Sequence, residues 1–518
     1  MAETPFESTQ PPARTVAAGR ALALARSWPV LLGLILLVGA ALRFHGLDWD
    51  VANGTEHPQQ MHPDERFLSL VSDRIDWPDS VGGYFDTDRS TLNPYNDGET
   101  NSYVYGTLPL FLGKLVSTIA GDDEVNRVGD SYDDTVVWGR RLTAAVDTLT
   151  ILVVFLAGWA LLSRGAGLAG AALYALAVLP TQLAHFWTVD PYLTFFGALA
   201  LLEGALLVHN RSLWRSALLY AALGVTIGLA TACKVNGALF LVIPVAVTVL
   251  RWGLRDDQRL GLRWHGQLRS RATAHPDPLL SDGDDHRAGA TAPLSREVGR
   301  GAGGEGTGLG NWMNDLSLLC VGLALGLVAF RIAQPYAFTG PNFWDTGISE
   351  RWWDDISREL NAQNGNADYP PTFQWAGRTP ILWPLQNLVL WGLGPALGIA
   401  ALGASIVAGV RMFRRREMSF LLPLVLIAAV FGFQGWRFVA YMRYFEPMYP
   451  ALCLLAGWAL LELWRFGRAR GPLPWAVPVA VQWLPTHLRD GRIVRGAALG
   501  AVAVVGATTA WWALAFQS

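Results

Sequence analysis

Charge is what this 518-residue chain has little of: Asp, Glu, Lys and Arg together make up 16% of it, against about 25% in an ordinary globular chain. The formal net charge is −2, so no global basic field points to nucleic acid. Lysine is nearly absent. Only Lys114 and Lys234 occur among 40 basic residues, which makes each lysine conspicuous. The three cysteines, Cys233, Cys320 and Cys453, lie far apart in apolar surroundings and fit neither a metal-ligand spacing nor a disulfide framework. No nucleotide-binding signature is present either, since the glycine-rich stretch Gly299–Gly310 follows no strand and has no P-loop lysine.

What remains is apolar. Residues of that class reach 52%, with 23 Trp and 54 Gly, and they come in blocks. About eleven apolar stretches with few charges approach the roughly 20 residues that cross a bilayer: 28–42, 138–161, 166–184, 192–209, 215–232, 235–250, 315–333, 388–410, 418–436, 445–464 and 495–515. The expected class is therefore an all-α polytopic membrane protein with about 11 transmembrane helices. Residues 1–27 read as a flexible cytoplasmic tail; 28–250 as an N-terminal membrane module with outer loop 44–137; and 251–312 as a flexible cytoplasmic linker. A C-terminal membrane module, 313–465, carries outer loop 334–387, and 466–518 form a polar linker and a last transmembrane helix.

Arginine distribution sets the orientation. If the apolar stretch 103–120 lies along the surface as a juxtamembrane or re-entrant helix, then Arg164, Arg211, Arg215, the loop 251–312, Arg411–Arg416 and Arg465–Arg470 all fall inside. If it crosses, they all face outward. The first arrangement is expected, and it places the unusual polar residues on the outer face of the cell membrane.

Four clusters there carry possible chemistry. In His62-Pro63-Asp64-Glu65, the proline and two acids suit a helix start, and an ionised Asp64 would also suit a general base for an acceptor hydroxyl. In His185-Phe186-Trp187-Thr188-Val189-Asp190-Pro191, Asp190 fits a helix cap, a role compatible with a functional one. His185 fits an ordinary partner of a neighbouring polar group. In Ala232-Cys233-Lys234-Val235, an unpaired ammonium within the membrane costs about 2.5–3.5 kcal/mol on insertion scales. Snorkelling or pairing with Asp190 is one reading of Lys234, and binding a lipid phosphate is the other. In Arg443-Tyr444-Phe445-Glu446-Pro447, Arg443 and Tyr444 suit interfacial anchoring, while Arg443 also suits bidentate phosphate binding.

These four motifs, in this order, resemble the GT-C glycosyltransferases, above all glycosyltransferase family 39: the protein O-mannosyltransferases and their bacterial relatives, including the aminoarabinose transferases acting on lipid A. The resemblance covers roughly residues 28–465. It implies a GT-C-type fold with juxtamembrane helices in the first outer loop, and transfer of a sugar from a polyprenyl-phosphate carrier to an acceptor hydroxyl, with inversion. On that analogy Asp64 is the base with Glu65 beside it, Lys234 and Arg443 meet the donor phosphate, and Asp190, His185, His62 and Tyr444 support the site or the acceptor. No cofactor is obligatory, although Asp64, Glu65 and Asp190 are the residues that would gather around a divalent ion. The partners expected are the lipid-linked sugar, membrane lipid and an acceptor protein, lipid or glycan. The loop 251–312 falls outside the family pattern, and a linker and one helix stand where the family has a soluble C-terminal domain. A transporter or lipid flippase is the competing reading; it predicts charges near the midplane and internal repeats, which this sequence does not display. A polysaccharide polymerase or ligase of similar chemistry is a third.

Overall fold

The computed structural model describes residues 27–50, 61–120, 131–255, 308–367, 370–469 and 490–517. The tail, most of the loop 251–312 and the linker before the last helix lie outside the described residues.

The chain runs through α1 (Trp28–Phe44), α2 (Pro63–Arg74), α3 (Thr107–Ala120), α4 (Ser131–Leu161), α5 (Arg164–Ala175), α6 (Val178–Leu183), α7 (Asp190–His209), α8 (Leu213–Cys233) and α9 (Val242–Arg255). It continues through α10 (Gly308–Ala333), α11 (Glu350–Gln363), α12 (Pro395–Arg415), α13 (Leu421–Gln434), α14 (Tyr449–Arg468) and α15 (Gly491–Gln517). Eight stretches among the described residues are long and apolar enough to cross a membrane, and α1, α3 and Met418–Gln434 are shorter apolar helices.

Two expected spans differ in form. The stretch 166–184 is two helices, because Pro180 has no N–H for the carbonyl four residues back and Ala177 is extended. The carbonyls left over at the end of α5 still need donors. Arg43, itself 0% exposed, supplies them at 3.0 Å to Ala175 and 3.4 Å to Tyr174, while its Nε donates to Asp147 at 2.6 Å. The stretch 388–410 is likewise interrupted. Gly394 adopts φ +81°, a conformation that favours glycine, and Pro395 opens α12 at its first position.

Helices α8 and α10 approach until backbones touch. A Cβ on Gly224 or Gly228 would overlap the carbonyls of Gly322 or Gly326, so two glycine pairs spaced by four residues set the crossing. At one end of the bundle the segment after α2 meets the segment after α10. Asp355 on α11, 0% exposed, accepts from Tyr95 Oη and Tyr103 N at 2.8 Å each, Thr87 Oγ1 donates to Phe338 O at 2.7 Å, and Thr107 Oγ1 donates to Ala333 O at 2.6 Å. The opposite end is tied by Arg251, which holds Asp315 at 3.1 Å and the carbonyl of Asn210 at 2.7 Å. Residues Asp64, Asp190, Lys234 and Arg443 all belong to the first end.

Candidate active site

Pro63 opens α2 just after His62, and adjacent residues there point about 100° apart. Asp64 and Glu65 accordingly face different partners. Glu65 is 0% exposed; both its oxygens accept from Arg140, Nε at 2.8 Å and Nη2 at 2.7 Å, and Oε1 also accepts from the backbone N–H of Trp187 at 2.9 Å. Arg140 grips Asp50 with its remaining hydrogens, at 2.7 and 2.9 Å, and the carbonyl of Leu47 at 2.7 Å. All five guanidinium donors are thereby used. The 0%-exposed Trp187 ring, bonded to Pro109 O at 3.3 Å, locks the turn ahead of Asp190.

Asp64 turns the other way, toward Arg443. Its Oδ2 lies 3.1 Å from Arg443 Nη2. Arg443 Nε is 3.8 Å from Asp190 Oδ2, and the other oxygen of Asp190 accepts from Lys234 Nζ at 2.8 Å. Lys234 Nζ also stands 4.1 Å from the Tyr444 ring centre, while Arg443 lies over Tyr441 at 4.4 Å, both within cation–π range. Two carboxylates and two cations from four distant stretches thus form one electrically balanced chain. Lys234 reaches it because α8 stops at Cys233 and the next residue is extended, with φ −159°. The Cys233 carbonyl accepts from Gly106 N at 2.9 Å, and Gly106 is so close to the backbone of Ala232 and Cys233 that no side chain fits there. The neighbouring Tyr105 phenol faces Asp64 and Arg443, and burial, with the Asp64 charge, pushes its pKa well above 10.

Comparison with known proteins bears on the fold and on one stretch of the chain. Residues 115–270 match the family model described as dolichyl-phosphate-mannose-protein mannosyltransferase, a stretch that holds Asp190 and Lys234 and leaves out Asp64 and Arg443. The oligosaccharyltransferase of Archaeoglobus fulgidus, solved with a tethered acceptor peptide, aligns over 95% of this chain and 55% of its own, with TM-score 0.52 at 14% identity. The two chains share a fold. ArnT from Cupriavidus metallidurans, bound to undecaprenyl phosphate, aligns over 93% of this chain and 74% of its own, with TM-score 0.44 at 16% identity. The Pmt1–Pmt2 complex of S. cerevisiae, bound to the sugar donor, aligns over 62% and 36%, with TM-score 0.37 at 17% identity. The chain spans a little over half the length of the archaeal enzyme. No curated protein sequence matches it.

Within this fold the expected residues divide into those that meet and those that stand behind. Asp64, Asp190, Lys234, Arg443 and Tyr444 meet. His62 adjoins them, its ring 4.6 Å from that of Phe186, and burial lowers its pKa below 6.5. Glu65 is withdrawn onto Arg140. His185 also stands behind: its ring nitrogens face the carbonyls of Thr181 at 2.7 Å and His45 at 2.9 Å, which fixes the turn against the end of α1. Among the described residues no group of three or more His, Cys, Asp or Glu is placed to hold a metal ion. The acids expected to gather around a divalent ion face different partners, Glu65 turning to Arg140 and Asp64 to Arg443. Tyr105 and Arg140 were not expected. A tyrosine in an apolar surface stretch carries no distinguishing signal, and Arg140 in a chain rich in arginine carries none either.

Proposed function

We propose that this protein is an inverting glycosyltransferase that moves a sugar from a polyprenyl-phosphate carrier to an acceptor hydroxyl at the outer face of the membrane. The observation that carries the reading is the ionic chain from Asp64 through Arg443 and Asp190 to Lys234. A base and two phosphate-binding cations within one cluster are what displacement at a sugar phosphodiester needs. The shared fold and the mannosyltransferase match over Asp190 and Lys234 add support.

The phosphodiester leaving group needs charge stabilisation rather than a strong acid. Lys234 and Arg443 take the charge that develops on the phosphate oxygen as the bond to the anomeric carbon breaks. Asp64 accepts the acceptor's proton as its oxygen attacks from the face opposite the phosphate. In the ligand-free protein Arg443 restrains Asp64. A bound phosphate competes for that guanidinium, so donor binding frees the base. Asp190 orients both cations, and Glu65, held by Arg140, fixes the helix turn that presents Asp64.

Purified full-length protein incubated with a polyprenyl-phosphate hexose should release polyprenyl phosphate and transfer or hydrolyse the sugar, and Asp64→Asn should abolish this. Recovery of intact donor by mass spectrometry, with flux of that donor across liposomes, would assign the protein to transport instead.

A further inference from the structure

Helix α15 packs against α12 and α14, and it does so unevenly along its length. At the end away from the site the fit is close: a Cβ on Gly467 of α14 would stand 2.6 Å from Leu499 Cγ. At the site end, where α12 begins, a cavity of about 190 Å³ remains, with Gly394–Leu397 on one wall and Thr508, Thr509, Trp511 and Trp512 on the other. Its lining is apolar. The two threonine hydroxyls donate to Val504 O and Val505 O of their own helix, at 2.7 Å each, and Leu393 and Leu397 are buried. Trp512 covers Gly394, with ring atoms 3.5 Å from where a Cβ would stand, and its ring centre is 6.4 Å from that of Trp391. Trp391 and Trp511 are exposed, so the cavity opens on the flank of the bundle that faces lipid. An apolar cavity of about 150 Å³ already takes up a hydrocarbon such as benzene.

The cavity also leads to the site. Gly392, one residue before its wall, has no room for a side chain: a Cβ there would collide with Tyr449 Oη and stand 3.5 Å from Met442 Cε. Met442 is bonded to Arg443, whose guanidinium reaches Asp64 at 3.1 Å. One van der Waals contact, Gly392 on Met442, therefore joins the cavity wall to the segment that carries a phosphate-binding cation. We infer that this cavity seats the isoprenoid chain of the donor's carrier, just beyond its phosphate. The inference rests on the glycosyl-transfer reading above, in which a phosphate at Lys234 and Arg443 is followed by a hydrocarbon that must continue into lipid. The walls alone would take a phospholipid acyl chain as well; the continuity with Arg443 selects the carrier. Helix α15, beyond the stretch that resembles the family, is by this inference part of the donor site.

The test uses purified full-length protein and undecaprenyl phosphate. Thr509→Phe and Ala396→Phe fill the cavity from opposite walls, and each should weaken undecaprenyl-phosphate binding by about tenfold or more, because several CH₂ groups lose their burial. In the wild type, a benzophenone-bearing farnesyl phosphate should cross-link to peptides of α15, and undecaprenyl phosphate should displace it while excess dioleoyl phosphatidic acid does not. The cross-link needs no substitution, so it decides the matter where a filled variant unfolds. Equal displacement by phosphatidic acid would give the cavity to ordinary lipid. A label confined to other helices, or unchanged affinity in folded variants, would likewise overturn the seat while leaving glycosyl transfer standing. A wild type that binds no undecaprenyl phosphate would remove the polyprenyl-phosphate donor itself, and the seat with it.

Discussion

Asp64 and Glu65 are neighbours in sequence, yet substitution should separate them completely. Asp64 is 7% exposed beside Arg443, so Asp64→Asn should fold normally and lose about 10²–10⁴-fold in kcat, the contribution of a positioned general base; wild-type turnover in that variant would remove it from the chemistry. Arg140→Gln should act the other way, leaving Glu65 and Asp50 buried without their counter-charge at a cost of about 3–5 kcal/mol. Thermal unfolding in detergent measures that cost, and an unchanged midpoint would contradict the framing role given to Glu65. His62 adds a pH dependence. Burial lowers its pKa in the folded protein, so the unfolded chain takes up the proton first, and stability falls as pH drops below about 6.5. His62→Asn should flatten the dependence of the unfolding midpoint on pH between about 6.5 and 5, and an unaltered slope would assign that dependence to other groups.

At the scale of the helix, much could be read in advance wherever charge interrupts apolar sequence. Asp190, Lys234 and Arg443 stand at helix ends in a chain with few charges, and that scarcity made them visible. The break at Ala177 was not visible in the same way, because hydropathy stays high on both sides of it and only Pro180 hints at the missing hydrogen bond. The division of labour between Asp64 and Glu65 was hidden because it depends on which helix each faces, and Arg140 lies 75 residues further on. The packing of α8 on α10 shows the same limit: the two Gly-x-x-x-Gly pairs can be found by eye, while their pairing with each other comes only from the coordinates. Gly224→Leu should therefore force the helices apart and destabilise the protein by about 1–3 kcal/mol or more. Gly403→Ala, with nothing within 4 Å of the added Cβ, should be neutral or slightly stabilising. Equal unfolding midpoints for the two variants would show that the glycine contact does not set the crossing.

The whole molecule is polar in the geometric sense. The site end gathers Asp64, Asp190, Lys234 and the aromatic segments before and after α11. The other end carries Arg211, Arg251 with its partners on α7 and α10, and the Arg411–Glu417 pair at 2.8 Å. Arginine-rich ends tend to stay on the cytoplasmic side, which would turn the site outward, as the proposed transfer requires. The native cysteines favour a direct measurement of that orientation. Cys233 and Cys453 are buried, and Cys320, though exposed, lies within the apolar stretch Trp312–Ala333. A charged, membrane-impermeant thiol reagent therefore has little background to contend with. Trp344 at the site end is 82% exposed, and Arg211 at the opposite end is exposed as well. In intact cells Trp344→Cys should be labelled and Arg211→Cys should not, and both should react once the membrane is permeabilised. The reverse pattern would place Asp64 and Lys234 in the cytoplasm. The case for transfer at the outer surface would then fail even with the ionic chain intact.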